Sequence, residues 1–250
     1  MSSPSEYATF WEHLDELRAR LLRMLLVVAV FSVAAFLMKE QLFSVVLAPR
    51  NSDFLSYRLL GVPVFSIQLI NTGLTEQFMV HMRTAMYTGL LAASPYIIYE
   101  LFGFVSPGLY ENERRYAFRL VGAAYVMFIL GTLMNYFLVF PLTVRFLGTY
   151  QVSADVANML TLQSYIDTFI GLSFLMGVLF ELPVVCWLMG RMEIINSKMM
   201  AAYRRHAIVA ILIVAAVVTP TTDVFTLFVV AMPIWMLYEF SILIVRSSKM

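Results

Sequence analysis

Residues 166–189 read IDTFIGLSFLMGVLFELPVVCWLM. A helix of roughly 20 apolar residues crosses the bilayer core at 1.5 Å per residue, and this run is long enough to do so. A spanning helix changes the solvent against which every other segment is read, so the search moves outward from it. Five further apolar runs flank it, at about Leu21–Met38, Phe78–Phe102, Tyr116–Phe140, Arg205–Thr219 and Val224–Val245. The fifth of the six is short: its cleanly apolar stretch, Ala207–Val218, covers about 18 Å of a core near 30 Å. A re-entrant segment would fit that length. The sixth run follows after only Pro220, Thr221, Thr222 and Asp223, and a tight helical hairpin fits better. The pattern predicts an all-α integral membrane protein of six transmembrane helices, the fifth and sixth short or broken.

Composition agrees. Of the 250 residues 61% are hydrophobic and 13% charged, against about 45–50% and 25% in a soluble domain. That argues against a soluble enzyme and rules out a disordered chain. The single cysteine, Cys186, excludes an internal disulfide framework. A net charge of +1 gives no reason to expect a nucleic-acid surface. With six spans and the N-terminus inside, twelve of the seventeen basic residues fall on cytoplasmic pieces, among them Arg18, Arg20, Arg23, Arg114, Arg115, Arg191, Lys198 and Arg246. Lys39, Arg50, Arg58, Arg83 and Arg145 fall outside. The bias places both termini, and the loops near Pro107 and Ser197, in the cytoplasm. Twenty mostly polar residues precede the first run, so it reads as a retained anchor and not as a cleaved leader. No repeat or low-complexity tract is visible, and residues 1–250 read as one membrane domain. Within it, 1–20 form an amphipathic helix lying in the interface before turning into the first span. Residues 39–77 form a folded periplasmic cap, and 103–115 the first cytoplasmic loop.

Three places carry candidate chemistry. Phe10, Leu14, Leu17 and Leu21 mark one helical face, with Glu16 and Arg20 spaced for an i,i+4 ion pair. The segment is either a plain anchor or a functional surface. In the loop 103–115, Pro107-Gly108 makes a turn and Glu111 and Glu113 open the next helix. Those acids either complement a helix dipole or offer carboxylates to a guanidinium ligand beside an aromatic side chain. Glu181 lies deep in the fourth run, within Phe180-Glu181-Leu182-Pro183. A charge there costs about 2.5–3.5 kcal/mol on insertion scales, and an intramembrane acid is a functional candidate by default. The bland reading is a protonated acid bonded to a nearby hydroxyl. Pro183 is expected to kink the helix. Glu239 is placed to snorkel, Asp167 to be solvated, and His81 or Arg83 to pair with Glu76. No catalytic or metal-binding motif is present: His-Glu-x-x-His, Gly-x-Ser-x-Gly and a Walker loop are all missing.

These residues, in order, resemble one family. His13-Leu14-Asp15-Glu16-Leu17-Arg18-Ala19-Arg20-Leu21, Ala48-Pro49, the loop from Phe104 to Arg115, and Phe180-Glu181-Leu182-Pro183 are similar to the motifs of TatC, the polytopic receptor subunit of the twin-arginine protein translocase. The likeness runs from about His13 to Glu239. One departure is Thr219-Pro220-Thr221-Thr222-Asp223, which carries an extra residue before the acid. The resemblance implies a receptor, not an enzyme, needing no cofactor and no metal. It implies that the receptor binds Arg-Arg signal peptides of folded cargo, with Glu16, Glu113 and Phe104 at the peptide and Arg18 and Arg115 beside them. It further implies that Glu181, Pro183 and Phe180 face the helix of a TatA-like or TatB-like single-span partner. Pro49, Pro107, Gly108 and Asp223 are implied to be structural. The expected setting is the bacterial cytoplasmic membrane, in a self-associating, multimeric receptor complex driven by the protonmotive force. The competing reading is an ion- or solute-coupled secondary transporter with Glu181, Glu239 and Pro183 at its midplane; a passive scaffold is the third.

Overall fold

A computed structural model describes residues 10–59, 61, 63, 65, 67–105, 117–150, 153, 159–218 and 224–247, with backbone alone at 10–13, 105, 117–119 and 218. Over their described residues all six apolar runs are mainly helical, the fourth interrupted at Phe180–Glu181. The elements are α1 (Phe10–Leu37), α2 (Lys39–Val46), α3 (Leu55–Leu59), β1 (Leu69–Ile70), α4 (Glu76–Val105), α5 (Ala117–Met134), a π-helical turn (Asn135–Val139), α6 (Phe140–Thr149), β2 (Leu160–Thr161), α7 (Leu162–Leu179), α8 (Leu182–Arg191), α9 (Ser197–Ala202), α10 (Arg204–Val218) and α11 (Val224–Ser247). Among the described residues four stretches are long and apolar enough to cross a membrane: Leu14–Leu37, Leu120–Thr149, Leu162–Arg191 and Val224–Ser247. The 30-residue α4 has the length, but Tyr87, Pro95, Tyr96 and Glu100 dilute its hydropathy. The 15-residue α10 reaches roughly 22 Å.

α1 is unbroken from Phe10 to Leu37. The turn expected between an interfacial segment and the first span is therefore not there. Arg18-Ala19-Arg20-Leu21-Leu22-Arg23-Met24 contains only good helix formers and nothing to stop propagation. Leu14, Leu17 and Leu21 remain exposed on the protein surface, as a lipid-facing stripe would be. α1 docks chiefly on α4. The contact is close because Gly89 faces Ser32: a Cβ at 89 would lie 2.5 Å from the Ser32 backbone nitrogen.

Prolines shape the longer helices. Pro95 cannot donate to the Leu91 carbonyl, and the Ser94 hydroxyl donates to it instead at 2.7 Å. Pro141 likewise has no N–H to offer the Phe137 carbonyl four residues back, where the π-helical turn precedes α6. The Ser56 hydroxyl of the 39–77 segment donates to that carbonyl. Where a kink was expected at Pro183, the helix is interrupted at Phe180–Glu181, between α7 and α8.

The described residues of the 39–77 segment, here termed the cap, pack against the helices that follow it. Tyrosines hold it: Tyr136 donates to the Val45 carbonyl at 2.8 Å and Tyr165 to Val46 at 3.1 Å, satisfying carbonyls at the C-terminus of α2. The buried Tyr57 hydroxyl lies 2.9 Å from the carbonyl of Pro49 and 2.8 Å from that of Pro141. A two-residue parallel pairing, Leu69 with Leu160 and Ile70 with Thr161, joins the cap to the start of α7. The main core lies beneath it, around Val139, Phe140, Tyr165, Ile166, Leu172 and Val230.

Candidate functional site

At the end opposite the cap, α1 and α4 bring together two acids and two bases. The Arg20 guanidinium is the hub. Its Nε and Nη2 donate to Oε1 of Glu16 at 3.0 and 2.6 Å. Its Nη1 donates to Oε2 of Glu100 at 2.9 Å and to the Glu100 carbonyl at 3.2 Å. Glu100 is only 2% exposed. Its Oε1 is met by Arg23 Nη1 at 3.1 Å and accepts from the Tyr96 hydroxyl at 2.7 Å. Gly103 makes the passage for Arg20: a Cβ there would lie 2.5 Å from Nη1. Phe104 is half-buried one turn beyond Glu100. Charged pairs shielded this way form stronger hydrogen bonds than pairs in open water.

The Glu16–Arg20 pair forms as its spacing predicts. Arg18 is exposed. Glu113, Arg115, Pro107 and Gly108, and likewise Asp223, lie outside the described residues. Pro49 is buried in the cap with its carbonyl beside Tyr57. Sequence reasoning missed Glu100, although Tyr96 four residues before it, on the same helical face, was a usable signal.

Around Glu181 the picture is different. Its Oε1 is buried without a hydrogen-bond partner among the described residues. Phe180 packs against the α5 backbone at Gly131. The buried Pro183 lines an apolar groove of about 360 Å³ with Leu120, Met127, Val184, Trp187 and Phe240. Deeper in the bundle Asn135 donates to Ser173 Oγ at 2.6 Å, a buried polar contact that the sequence did not announce.

Other acids are quenched. Glu239 pairs with Arg204 at 2.8 Å. Arg83 pairs with Asp167 at 2.9 Å and not with Glu76. Glu76 instead accepts from the backbone of Thr72 and Gly73, both at 2.9 Å, and of Gln163 at 3.1 Å. Those amides hold its carboxyl below the usual range, Gly73 and Thr72 foremost. His81 is buried and stacked on Phe36, ring centroids 4.0 Å apart. Among the described residues no group of His, Cys, Asp and Glu is placed to hold a metal ion.

Fold and site together define a multi-pass helical membrane protein whose distinctive chemistry is carboxylate–guanidinium pairing at one end of the bundle. The sequence model of the family described as Sec-independent protein translocase protein (TatC) matches residues 12–233. A TatC from Deinococcus radiodurans is 35% identical over 249 residues, 99% of this chain and 90% of its own. TatCy from Bacillus subtilis is 30% identical over 237 residues, 95% and 88% of the two chains. A crystal structure of the Twin Arginine Translocase Receptor TatC superposes with a TM-score of 0.79 at 30% identity, over 96% of this chain and all of that one. The chain belongs to the TatC family. It is a multi-pass component of the Sec-independent protein translocase in the bacterial cytoplasmic membrane, working with Tat partner subunits; the family is a receptor family and not an enzyme family.

Proposed function

We propose that this chain is the translocase's signal-peptide receptor, taking the Arg-Arg segment of folded cargo at the end that carries Glu16, Glu100 and Phe104. That end faces the cytoplasm, as do both termini, and the chain crosses the membrane six times. Glu16 and Glu113 pair with the peptide guanidiniums, with Phe104 against the peptide and Arg18 and Arg115 flanking the pocket. Glu181, with Phe180 and Pro183, meets the single helix of a TatA-like or TatB-like partner. Several copies assemble into a receptor complex, and transport draws on the protonmotive force without a covalent step.

The observation that carries the reading is the Glu16 carboxylate, which already holds a guanidinium through two N–H groups at 3.0 and 2.6 Å. Arginine, unlike lysine, offers that forked pairing. The test is titration of the protein in lipid nanodiscs with peptides that differ only in Arg-Arg or Lys-Lys. The parent should prefer Arg-Arg. Glu16→Gln and Glu113→Gln should each lose about 1.5–3 kcal/mol of binding, roughly tenfold to a hundredfold. Equal affinity for the two peptides in the parent would sink the receptor reading.

A further inference from the structure

We infer that Arg20 is a tethered competitor for the Glu16 carboxylate, and that Glu100 is the residue to which it retreats when a ligand guanidinium arrives. The inference rests on the receptor reading and adds a regulation of the same site. Its basis is the geometry of one side chain. Arg20 spends Nε and Nη2 on Glu16 and Nη1 on Glu100, so it bridges both acids at once.

The two anchors differ. The Glu16 side chain is 39% exposed and the Glu100 side chain 3%. Glu16 is thus the reachable acid, and its Oε1 is occupied. Glu100 is buried and over-supplied, with Arg23 and Tyr96 on Oε1 and Arg20 on Oε2 and on its carbonyl. An incoming guanidinium that takes Glu16 leaves Arg20 still paired, because Nη1 keeps both Glu100 contacts. The exchange therefore strands no charge. Gly103 is part of the device: any side chain there would run into Arg20 Nη1.

The competition lowers affinity by the same factor for every cation that must displace Arg20. It leaves the Arg-to-Lys preference ratio untouched. What it does is push weak ligands below the concentration at which they occupy the site, which makes the receptor selective in practice. A half-exposed i,i+4 pair is worth at most about 1 kcal/mol, so the expected effect is about twofold to fivefold in dissociation constant.

The experiment titrates nanodisc-embedded protein with the Arg-Arg and Lys-Lys peptides. Arg20→Gln should tighten both by the same factor, about twofold to fivefold. Arg20→Lys keeps the charge but loses the fork, and should tighten both by less. Arg23→Gln removes the same unit charge from the same face, yet Arg23 touches Glu100 and not Glu16; it should give a smaller gain. Glu100→Gln removes the refuge and should weaken both peptides. Equal gains from Arg20→Gln and Arg23→Gln would assign the effect to net charge and overturn the competitor. So would unchanged or weaker binding by Arg20→Gln in a protein whose parent prefers Arg-Arg. A parent without that preference removes the receptor reading itself, and the competitor with it.

Discussion

The Glu76 carboxylate shows how much one side chain can organise. It lies ahead of the apolar part of α4 and gathers amides from its own turn, Thr72 and Gly73, and from Gln163 at the start of α7. These bonds favour the ionised form, so its folded pKa lies below the unfolded one. Stability from this group is complete above the unfolded value and is lost as pH falls through the folded one. Melting in detergent from pH 7 to pH 3 should therefore show a fall in midpoint that Glu76→Gln lacks; parallel curves would clear Glu76 of the role. Glu181 is the opposite case, a carboxylate with one buried oxygen that has no hydrogen-bond partner among the described residues. The helix ends on either side offer nothing: Gly177 and Val178 on α7 and Val184 and Val185 on α8 are all non-polar. Glu181→Leu should insert and still bind peptide but lose cysteine crosslinking to a TatA-like or TatB-like helix, whereas Glu181→Gln should keep it. Full crosslinking and transport by the Leu variant would reduce Glu181 to a structural acid. Half of the carboxylate–guanidinium cluster was legible in the sequence, because Glu16 and Arg20 sit four apart. Glu100 was not, because an acid near a helix end has an ordinary reading and its partner is 80 residues away.

Among the elements, apolar runs gave away the helices, and Pro183 signalled a kink where the chain has an interruption before α8. The π-helical turn was hidden. Pro141 is visible in the sequence, but its freed carbonyl is answered by Ser56, 81 residues earlier, and no local pattern encodes that. The β1–β2 contact was hidden for the same reason: two residues per strand leave no alternation to detect. The α1–α4 seam is the most testable element contact. A single methyl at 89 would meet the Ser32 backbone, and overpacking of that kind costs about 1–3 kcal/mol. At Gly122 nothing lies within 4 Å, so a methyl there meets no neighbour. Gly89→Ala should lower the melting midpoint and Gly122→Ala should not. Equal midpoints would mean that α1 yields at no cost.

At the scale of the whole molecule, α10 stands out as the short spanning candidate; the sixth run, expected to be short or broken, is instead the unbroken 24-residue α11. α5 to α8 supply two stretches of 30 residues each, Leu120–Thr149 and Leu162–Arg191, while α10 is half that length. Whether α10 crosses is therefore the point on which six-span topology turns. Basic residues argue that it does, since Arg204, Arg205 and Arg246 then share the cytoplasmic side with Lys198. The Arg204–Glu239 ion pair joins the first residue of α10 to the C-terminal half of α11, as antiparallel neighbours of one hairpin require. A re-entrant α10 would instead put Lys198 and Ser247 on opposite sides. Three exposed positions separate the cases in a Cys186→Ser background: Asp53 in the cap, Lys198 on α9 and Ser247 at the end of α11. A membrane-impermeant thiol reagent added to intact cells should label Asp53→Cys. It should spare Lys198→Cys and Ser247→Cys until the membrane is opened. Labelling of Ser247→Cys alone among the latter two would make α10 re-entrant, and labelling of Lys198→Cys with Asp53→Cys spared would invert the protein.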